Sequence, residues 1–246
     1  MKQLYTLALA LITSLSSMAQ TAMMVTNQDI KTGYESFVFD LDESSYRDLL
    51  ANAPLDGTSS KSKAINISIP FPDGSLKSVS VVESPIMAPE LSEKYPGIKT
   101  YKAQGKNFFG RLSFTEKGFH GMLFTAEGTV YIDPIGSQAG TYHAYNRKDY
   151  MEFYAHSKGH ECLVEDEYTE MKEVIPHLKE LSARTGEQLR TYRLALACTG
   201  EYSQFHGGTI PGVLSAMVVS MNRVNGVYEK DFSITMEIIG NNDLLI

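Results

Sequence analysis

Two histidines come closest, by type and spacing, to a metal site. His156 and His160 stand in the sequence His-Ser-Lys-Gly-His, and a spacing of four residues places two ligands on one face of a helix. However, Ser157 occupies the position where a glutamate would act as general base, and Gly159 disfavours a helix. We therefore interpret both histidines as exposed turn residues among strands, and the sequence predicts no metal ligand and no catalytic residue here.

The other reactive side chains form no recognisable motif. The remaining histidines are His120, His143, His177 and His206, and HExxH occurs nowhere in the sequence. The two cysteines, Cys162 and Cys198, lack the spacing of a zinc finger. Because free cysteine is usually buried, Cys198 is interpreted as a small buried strand residue.

Composition restricts the class of protein. The 246 residues suffice for one large domain or two small ones, and 43% apolar content is typical of packed globular structure. The net charge is −7, and the lysines and arginines are scattered. The sequence therefore offers no basic face for a phosphate backbone, which argues against nucleic acid as a partner.

The N-terminus has the pattern of an export signal. Lys2 is followed by the apolar stretch Leu4–Leu15 and by the small-x-small sequence Ser17-Met18-Ala19. The apolar stretch is shorter than the roughly 20 residues that span a bilayer as a helix. We predict a signal peptide over residues 1–19, a secreted protein, and no membrane span.

Residues 20–164 are predicted to be rich in antiparallel strands. Alternating apolar residues and glycine-containing turns mark a hairpin and a β-meander, with one short helix near the start and an irregular stretch at 85–105. The predicted elements are a strand at Tyr34–Asp40, a helix at Glu43–Ala53, a hairpin of Ala64–Pro70 and Leu76–Glu83, a meander from Phe108 to Gly136, and strands at Thr141–Tyr145 and Glu161–Val164.

Residues 165–190 have the composition of a solvated connector, because charged residues are frequent and large apolar groups are few. Arg184 and Arg190 mark a possible processing region, since exposed linkers are preferred sites of proteolysis. The alternative is that both are ordinary solvated charges.

Residues 191–246 predict a strand, a helix and a second strand. The apolar run near Leu194 and Leu196 is typical of a strand buried on both faces. Thr209 and Pro211 begin an amphipathic helix, Glu229–Asp231 form a turn, and Phe232–Ile239 form the next strand. The fold class is therefore α+β, with an antiparallel β-rich part followed by an incomplete βαβ unit.

Two stretches resemble one family in the same order. Gly118-Phe-His-Gly-Met-Leu123 and Tyr131-Ile-Asp-Pro134, within Tyr101–Gly136, are similar to the prodomain of reprolysin (adamalysin)-like zinc metallopeptidases. Residues 191–242, notably TGEYSQFHGG and MNRVNGVYEKDF, resemble the start of the catalytic domain in secreted bacterial members, which has the metzincin fold.

This resemblance implies a secreted precursor of a zinc endopeptidase with protein or peptide substrates. In the family, HExxHxxGxxH supplies three histidine ligands and a glutamate general base. That motif is absent here, so zinc is expected in the intact parent enzyme and no cofactor is expected in this fragment. The expected organisation is a signal peptide (1–19), a prodomain (20–164) that packs on the catalytic domain, a connector (165–190) and a truncated start of the catalytic domain (191–246).

Cys162 acquires a role only through the resemblance. Related precursors use a prodomain thiolate to fill the fourth zinc position, so Cys162 is a candidate inhibitory thiol. The alternative is a small buried thiol on a terminal strand.

Two functions follow from the sequence. The first is the N-terminal part of a secreted zinc endopeptidase precursor, inactive alone. The second is a non-enzymatic secreted binding or inhibitory module, in which a free prodomain holds a separately encoded catalytic domain inactive.

Overall fold

A computed structural model describes residues 24–26, 32–57, 64–136, 140–158 and 188–246, and it confirms the α+β class. The strands are β1 (Met24–Thr26), β2 (Ser36–Leu41), β3 (Ile65–Pro70), β4 (Leu76–Glu83), β5 (Lys99–Gln104), β6 (Phe109–Thr115), β7 (Gly118–Thr125), β8 (Gly128–Pro134), β9 (Thr141–Asn146), β10 (Arg190–Leu194) and β11 (Ile234–Ile238). The helices are α1 (Glu43–Leu50), α2 (Pro89–Lys94), α3 (Arg147–Lys158), α4 (Gly200–Phe205) and α5 (Ile210–Phe232), and a 3-10 turn spans Asn242–Leu245.

The first nine strands form one curled antiparallel sheet in the order β1-β2-β9-β8-β7-β6-β5-β4-β3. The strands from β3 to β9 lie side by side in chain order. Short connections join most neighbours, and residues 84–98, which include helix α2, join β4 to β5. The sequence predicted the hairpin of β3 and β4, and also the meander of β6, β7 and β8, close to their observed bounds.

The inner face of this sheet holds the main hydrophobic core. Side chains alternate between the two faces of a strand, so Phe119 and Leu123 of β7 point inward together. Helix α1 covers this face with Tyr46 and Leu50, both fully buried. Asp42 caps the helix by accepting a hydrogen bond from the Ser45 backbone N–H at 3.2 Å.

The opposite side, here called the outer face, carries Arg111, Met122 and Asp133 on β6, β7 and β8. Helix α3 packs on β8 and β9, where the rings of Tyr150 and Tyr145 lie 5.2 Å apart. Helix α5 packs on β6 and β7. The sheet is therefore the middle layer of three.

Helix α5 begins where the sequence predicts. The Thr209 hydroxyl accepts a hydrogen bond from the Gly212 backbone N–H at 3.3 Å, and a proline follows within the first turn. The predicted turn at Glu229–Asp231 is wrong, because these residues continue the helix. The chain reverses only at Ser233, whose φ of 55° is left-handed.

The structure also differs from the prediction in three segments whose polar residues hid the apolar periodicity of a helix or strand. The stretch 85–105, expected to be irregular, contains α2 and β5, and α2 begins with Pro89 in its first turn. The segment around His156 is helix α3 rather than strands and turns. Gly200–Phe205 is helix α4, capped by Thr199, in a stretch for which the sequence predicted no element.

Strand β10 also differs from the prediction. It ends at Leu194, and its first four residues are exposed, whereas the sequence suggested a strand buried on both faces. Among the described residues, β10 pairs only with β11, in parallel register. The predicted strand at Glu161–Val164 lies outside the described residues. None of the described helices has the length and apolarity needed to cross a bilayer.

A substitution at Gly110 tests how closely β6 and β7 are packed. A Cβ added at Gly110 would lie 2.0 Å from the Met122 carbonyl oxygen, which is backbone and cannot rotate away. We expect Gly110→Ala to lower the free energy of unfolding by about 1–3 kcal/mol, measured by urea titration. Gly97→Ala is the control, because a Cβ there meets no atom within 4 Å. Equal stability of the two variants would contradict the packing.

Candidate functional site

Residues 188–246, here called the terminal unit, contact the outer face of the sheet mainly through α5. Gly226 permits the close approach, because a Cβ there would lie 2.9 Å from Met122 Cε and 3.3 Å from Arg111 Cγ. This contact brings together the polar and charged side chains that the sheet presents on its outer face. We therefore describe it as the candidate functional site.

One part of the contact is apolar. A second hydrophobic cluster, separate from the main core, contains residues from both sides of the contact, and all its central members are buried. These are Ile86, Met87, Leu91 and Ile98 from the β-rich part, with Leu214, Val218 and Ile238 from the terminal unit. Burial of apolar side chains stabilises a contact by about 1.5–3 kcal/mol for each large side chain, so this cluster is a main source of adhesion.

A backbone bridge continues the small parallel sheet into the β-rich part. The Ile238 N–H donates to the Ile86 carbonyl at 2.7 Å, and the Ala88 N–H donates to the Ile238 carbonyl at 2.8 Å. The bridge between Met87 and Ile238 is parallel. The segment Ile86–Ala88 thus lies beside β11 as a short third strand.

A buried ion pair crosses the contact. The Arg111 side chain is only 3% exposed, and its guanidinium contacts the Glu229 carboxylate on α5 through both Nε and Nη2. Its Nη1 faces Ser84 and the Asn222 side-chain oxygen, at 3.4 Å. The Asn222 amide donates to the Leu112 carbonyl at 2.9 Å. An arginine in this position needs such partners, because burying an unpaired charge is costly.

A second charge, partly buried, lies on β8. The Asp133 carboxylate accepts hydrogen bonds from His120 Nδ1 and the Tyr145 hydroxyl, each at 2.7 Å, and contacts the Arg223 guanidinium of α5. Burial by itself raises the pKa of Asp133, but the His120 hydrogen bond and the Arg223 charge more than offset this effect. The pKa of Asp133 is therefore below its ordinary value.

Two buried asparagines of the terminal unit use their side-chain amides to hydrogen-bond backbone groups, as a neighbouring strand would do. Asn225 donates to the Met236 carbonyl at 2.8 Å and accepts from the Met236 N–H at 2.9 Å. Asn242 does the same for Leu196, at 3.0 Å and 2.7 Å. Sequence reasoning missed both, although a polar amide among the apolar positions of a buried helix was a usable signal for Asn225.

A groove of about 500 Å³ lies beside the Arg111–Glu229 pair. Its walls come from both parts of the contact and include Phe109 and Phe124 of the sheet and Lys230 of α5. Arg111 and Glu229 also line this groove, and they bind each other. The groove therefore follows the boundary between the sheet and α5.

None of the cysteines and arginines that the sequence marked as candidates takes part in the ion pairs of this contact as far as the structure describes them. Cys162 and Arg184 are outside the described residues, so neither assignment is tested. Arg190 is exposed, is the first residue of β10, and donates its backbone N–H to the Ser233 carbonyl at 2.9 Å. Cys198 is partly buried.

Comparison with known proteins gives one finding. A model of a family described as "Metallo-peptidase family M12B Reprolysin-like" matches residues 188–245, which is nearly the whole terminal unit. The terminal unit is thus similar to metallopeptidases of this kind. No curated protein matches the chain, and no solved structure matches it.

Zinc is the metal that this family implies, and the described residues do not fit a site for it. The ring nitrogens of His120 face Asp133 and the Lys117 carbonyl. His143 Nδ1 lies 3.2 Å from the Tyr34 hydroxyl on another part of the outer face. No group of three His, Cys, Asp or Glu side chains among the described residues could hold a metal ion. We assign no zinc chemistry to them.

The asparagine amides can be tested at Asn225. Asn225→Ala leaves the Met236 N–H and carbonyl unpaired, and we expect the free energy of unfolding to fall by about 1–3 kcal/mol. Hydrogen exchange at the Met236 amide should accelerate, while the Ile238 amide stays protected by its bond to Ile86. Asn107→Ala is the control, since Asn107 is exposed on the surface. Unchanged exchange at Met236 would contradict the assignment.

The lowered pKa of Asp133 predicts how the contact responds to acid. The carboxylate stabilises the fold above its unfolded pKa, about 3.9, and this contribution is lost as the pH falls through the lower folded value. Asp133→Asn should therefore destabilise the protein at pH 7 and pH 5, and the difference from the unmodified protein should shrink at pH 3. Urea titration at the three pH values measures it. An equal difference at pH 7 and pH 3 would show that the charge of Asp133 is not the cause.

Proposed function

We propose that this chain is the N-terminal part of a secreted precursor of a zinc-dependent endopeptidase. The observation that carries the proposal is the family match over residues 188–245, which form a strand–helix–strand unit with parallel strands. In this proposal residues 1–19 are a signal peptide, 20–164 a prodomain, 165–190 a connector, and 191–246 the start of a metzincin-type catalytic domain. The substrates of the intact enzyme are proteins or peptides.

In this proposal the chain does not hydrolyse peptides by itself. In the intact enzyme, HExxHxxGxxH would hold a zinc ion, which would supply Lewis-acid activation of water for peptide hydrolysis. The sequence of this chain does not contain that motif. Its own residues therefore fold and position the start of the catalytic domain, and they do not carry out the reaction.

A second function is favoured by the contact itself. The β-rich part pairs Arg111 and Asp133 with charged side chains of α5, as a module that binds a catalytic domain would do. In this alternative, residues 20–164 are a secreted inhibitory module for a separately encoded peptidase. Purified chain added to a mature reprolysin-like peptidase should then inhibit it tightly, and absence of inhibition would argue against the module.

An activity assay tests the primary proposal. Recombinant residues 20–246 should not hydrolyse casein, with or without added zinc, while a known zinc endopeptidase in the same assay should. Hydrolysis by the purified chain that a chelator abolishes would refute the predicted inactivity. The coding sequence beyond the Ile246 codon tests the parentage, because HExxHxxGxxH in that sequence would support it.

A further inference from the structure

The groove beside α5 has an apolar lining that no other part of the described protein covers. Phe109 and Phe124 line it, with their ring centroids 5.3 Å apart, and Val82 of β4 lines it from the neighbouring part of the outer face. None of these three side chains belongs to either hydrophobic cluster, and Phe109 is 40% exposed. Apolar and aromatic side chains that line a concave surface are typical of ligand sites.

The size of the groove indicates a small molecule. Its volume of about 500 Å³ lies within the range of about 300–1,000 Å³ that is usual for small-molecule sites. Helix α5 packs mainly on β6 and β7, so β4 and β5 form the wall that faces the C-terminal half of the helix. On that wall Ser80 carries only a small side chain, which leaves the space open.

The charges of the groove favour an anion. Three cationic side chains and a single carboxylate line it, although the chain as a whole has a net charge of −7. Arg111 and Glu229 bind each other, so the remaining charge comes from Lys102 and Lys230. Lys102 belongs to β5 and Lys230 to α5, and the two lysines therefore approach the groove from its two walls.

The lysines have partners that a ligand can replace. Lys102 Nζ lies 2.9 Å from the Asp56 carboxylate, and Lys230 Nζ lies 3.2 Å from the Asp231 carboxylate. All four side chains are at least 35% exposed, and neither aspartate lines the groove. Exposed ion pairs of this kind contribute little to stability, so a lysine can turn towards a ligand at small cost. Lys230 Nζ also lies 5.3 Å from the centroid of the Phe124 ring, which places a cation next to the apolar lining.

We propose that this groove is a binding site for a small carboxylate with an apolar body, the chemistry of a medium-chain fatty acid. The apolar body contacts Val82, Phe109 and Phe124, and the carboxylate pairs with Lys102 and Lys230. Binding removes apolar surface of both molecules from water, and the charges determine which end of the ligand faces the lysines. The inference goes beyond the proposed function and does not depend on it.

The experiment titrates decanoate into the whole chain at neutral pH and measures binding by isothermal calorimetry. Decanoate should bind saturably, with one site for each chain. Decyltrimethylammonium has an apolar chain of the same length and the opposite charge, and it should bind at least about tenfold more weakly, because two lysines repel it. In nuclear magnetic resonance spectra, decanoate should shift the amide signals of Ser80, Val82 and Gly226 and leave those of α3 unchanged.

Substitutions separate the charge of the site from its shape. Lys102→Glu and Lys230→Glu should each weaken decanoate binding about fivefold or more, since each replaces an attraction by a repulsion. Ser80→Phe should abolish binding, because the larger side chain fills the groove without changing its charge. Lys148→Glu is the matched control on α3, where the lysine side chain is 82% exposed, and it should leave the affinity unchanged.

Circular dichroism of each variant shows whether it folds. Lys102→Gln and Lys230→Gln remove the charges without adding new ones, and they answer the question if a glutamate variant does not fold. Their affinity for decanoate should lie between those of the unmodified chain and of the glutamate variants.

Four outcomes would overturn the proposal. They are the absence of saturable binding by the whole chain, which includes the case that another segment of the chain fills the groove; equal affinity for decanoate and decyltrimethylammonium; unchanged affinity in both lysine variants; and amide shifts confined to α3. No readout depends on zinc or peptidase activity. A chain that hydrolyses casein and binds decanoate as described would refute the proposed function and leave this site intact.

Discussion

The buried guanidinium of Arg111 is the constraint on which the arrangement of the layers depends. A charged side chain in the middle of a sheet face requires an anion and further acceptors, and the strands beside it supply only part of that set. Glu229 supplies the anion and Asn222 a further oxygen, and both lie on α5. These two contacts fix where α5 lies on the sheet.

The rest of the terminal unit follows from the position of this helix. Once α5 lies across β6 and β7, the turn at Ser233 returns the chain beside β10, and Ile238 reaches the segment Ile86–Ala88. The second hydrophobic cluster then packs between the terminal unit and the β-rich part. Polar pairs thus specify the position, while apolar burial provides most of the stabilisation, as in interfaces whose charged groups give specificity more than affinity.

The sequence predicts local features well because local physics determines them. Alternating apolar residues and glycine turns located the meander, and Thr209 with the following proline located the start of α5. Helix α3 was missed because its only strong signal is the absence of glycine and proline between Arg147 and Lys158. The end of α5 was misplaced because charged residues occur in turns and in helices alike.

The contact itself could not be predicted in this way. Nothing local distinguishes Arg111 or Asp133 from a solvated charge on the outward side of a strand, and the partner of each lies about a hundred residues away in the chain. The role of Asn225 likewise depends on where Met236 lies in three dimensions. Such residues become recognisable only when the layers are assembled.

The amide of Asn225 also affects which edge of the small parallel sheet can take a further strand. On one side of β11, the Met236 and Ile238 backbone groups are already bonded to Asn225 and to Ile86–Ala88. On the other side lies β10, and beyond it the described residues provide no further strand. Among the described residues, the side of the β10–β11 pair that remains for a further strand is therefore the outer edge of β10, beside Thr191 and Arg193. The described part of this small sheet thus has its β11 edge occupied, and a strand that joins the pair directly would have to lie along β10.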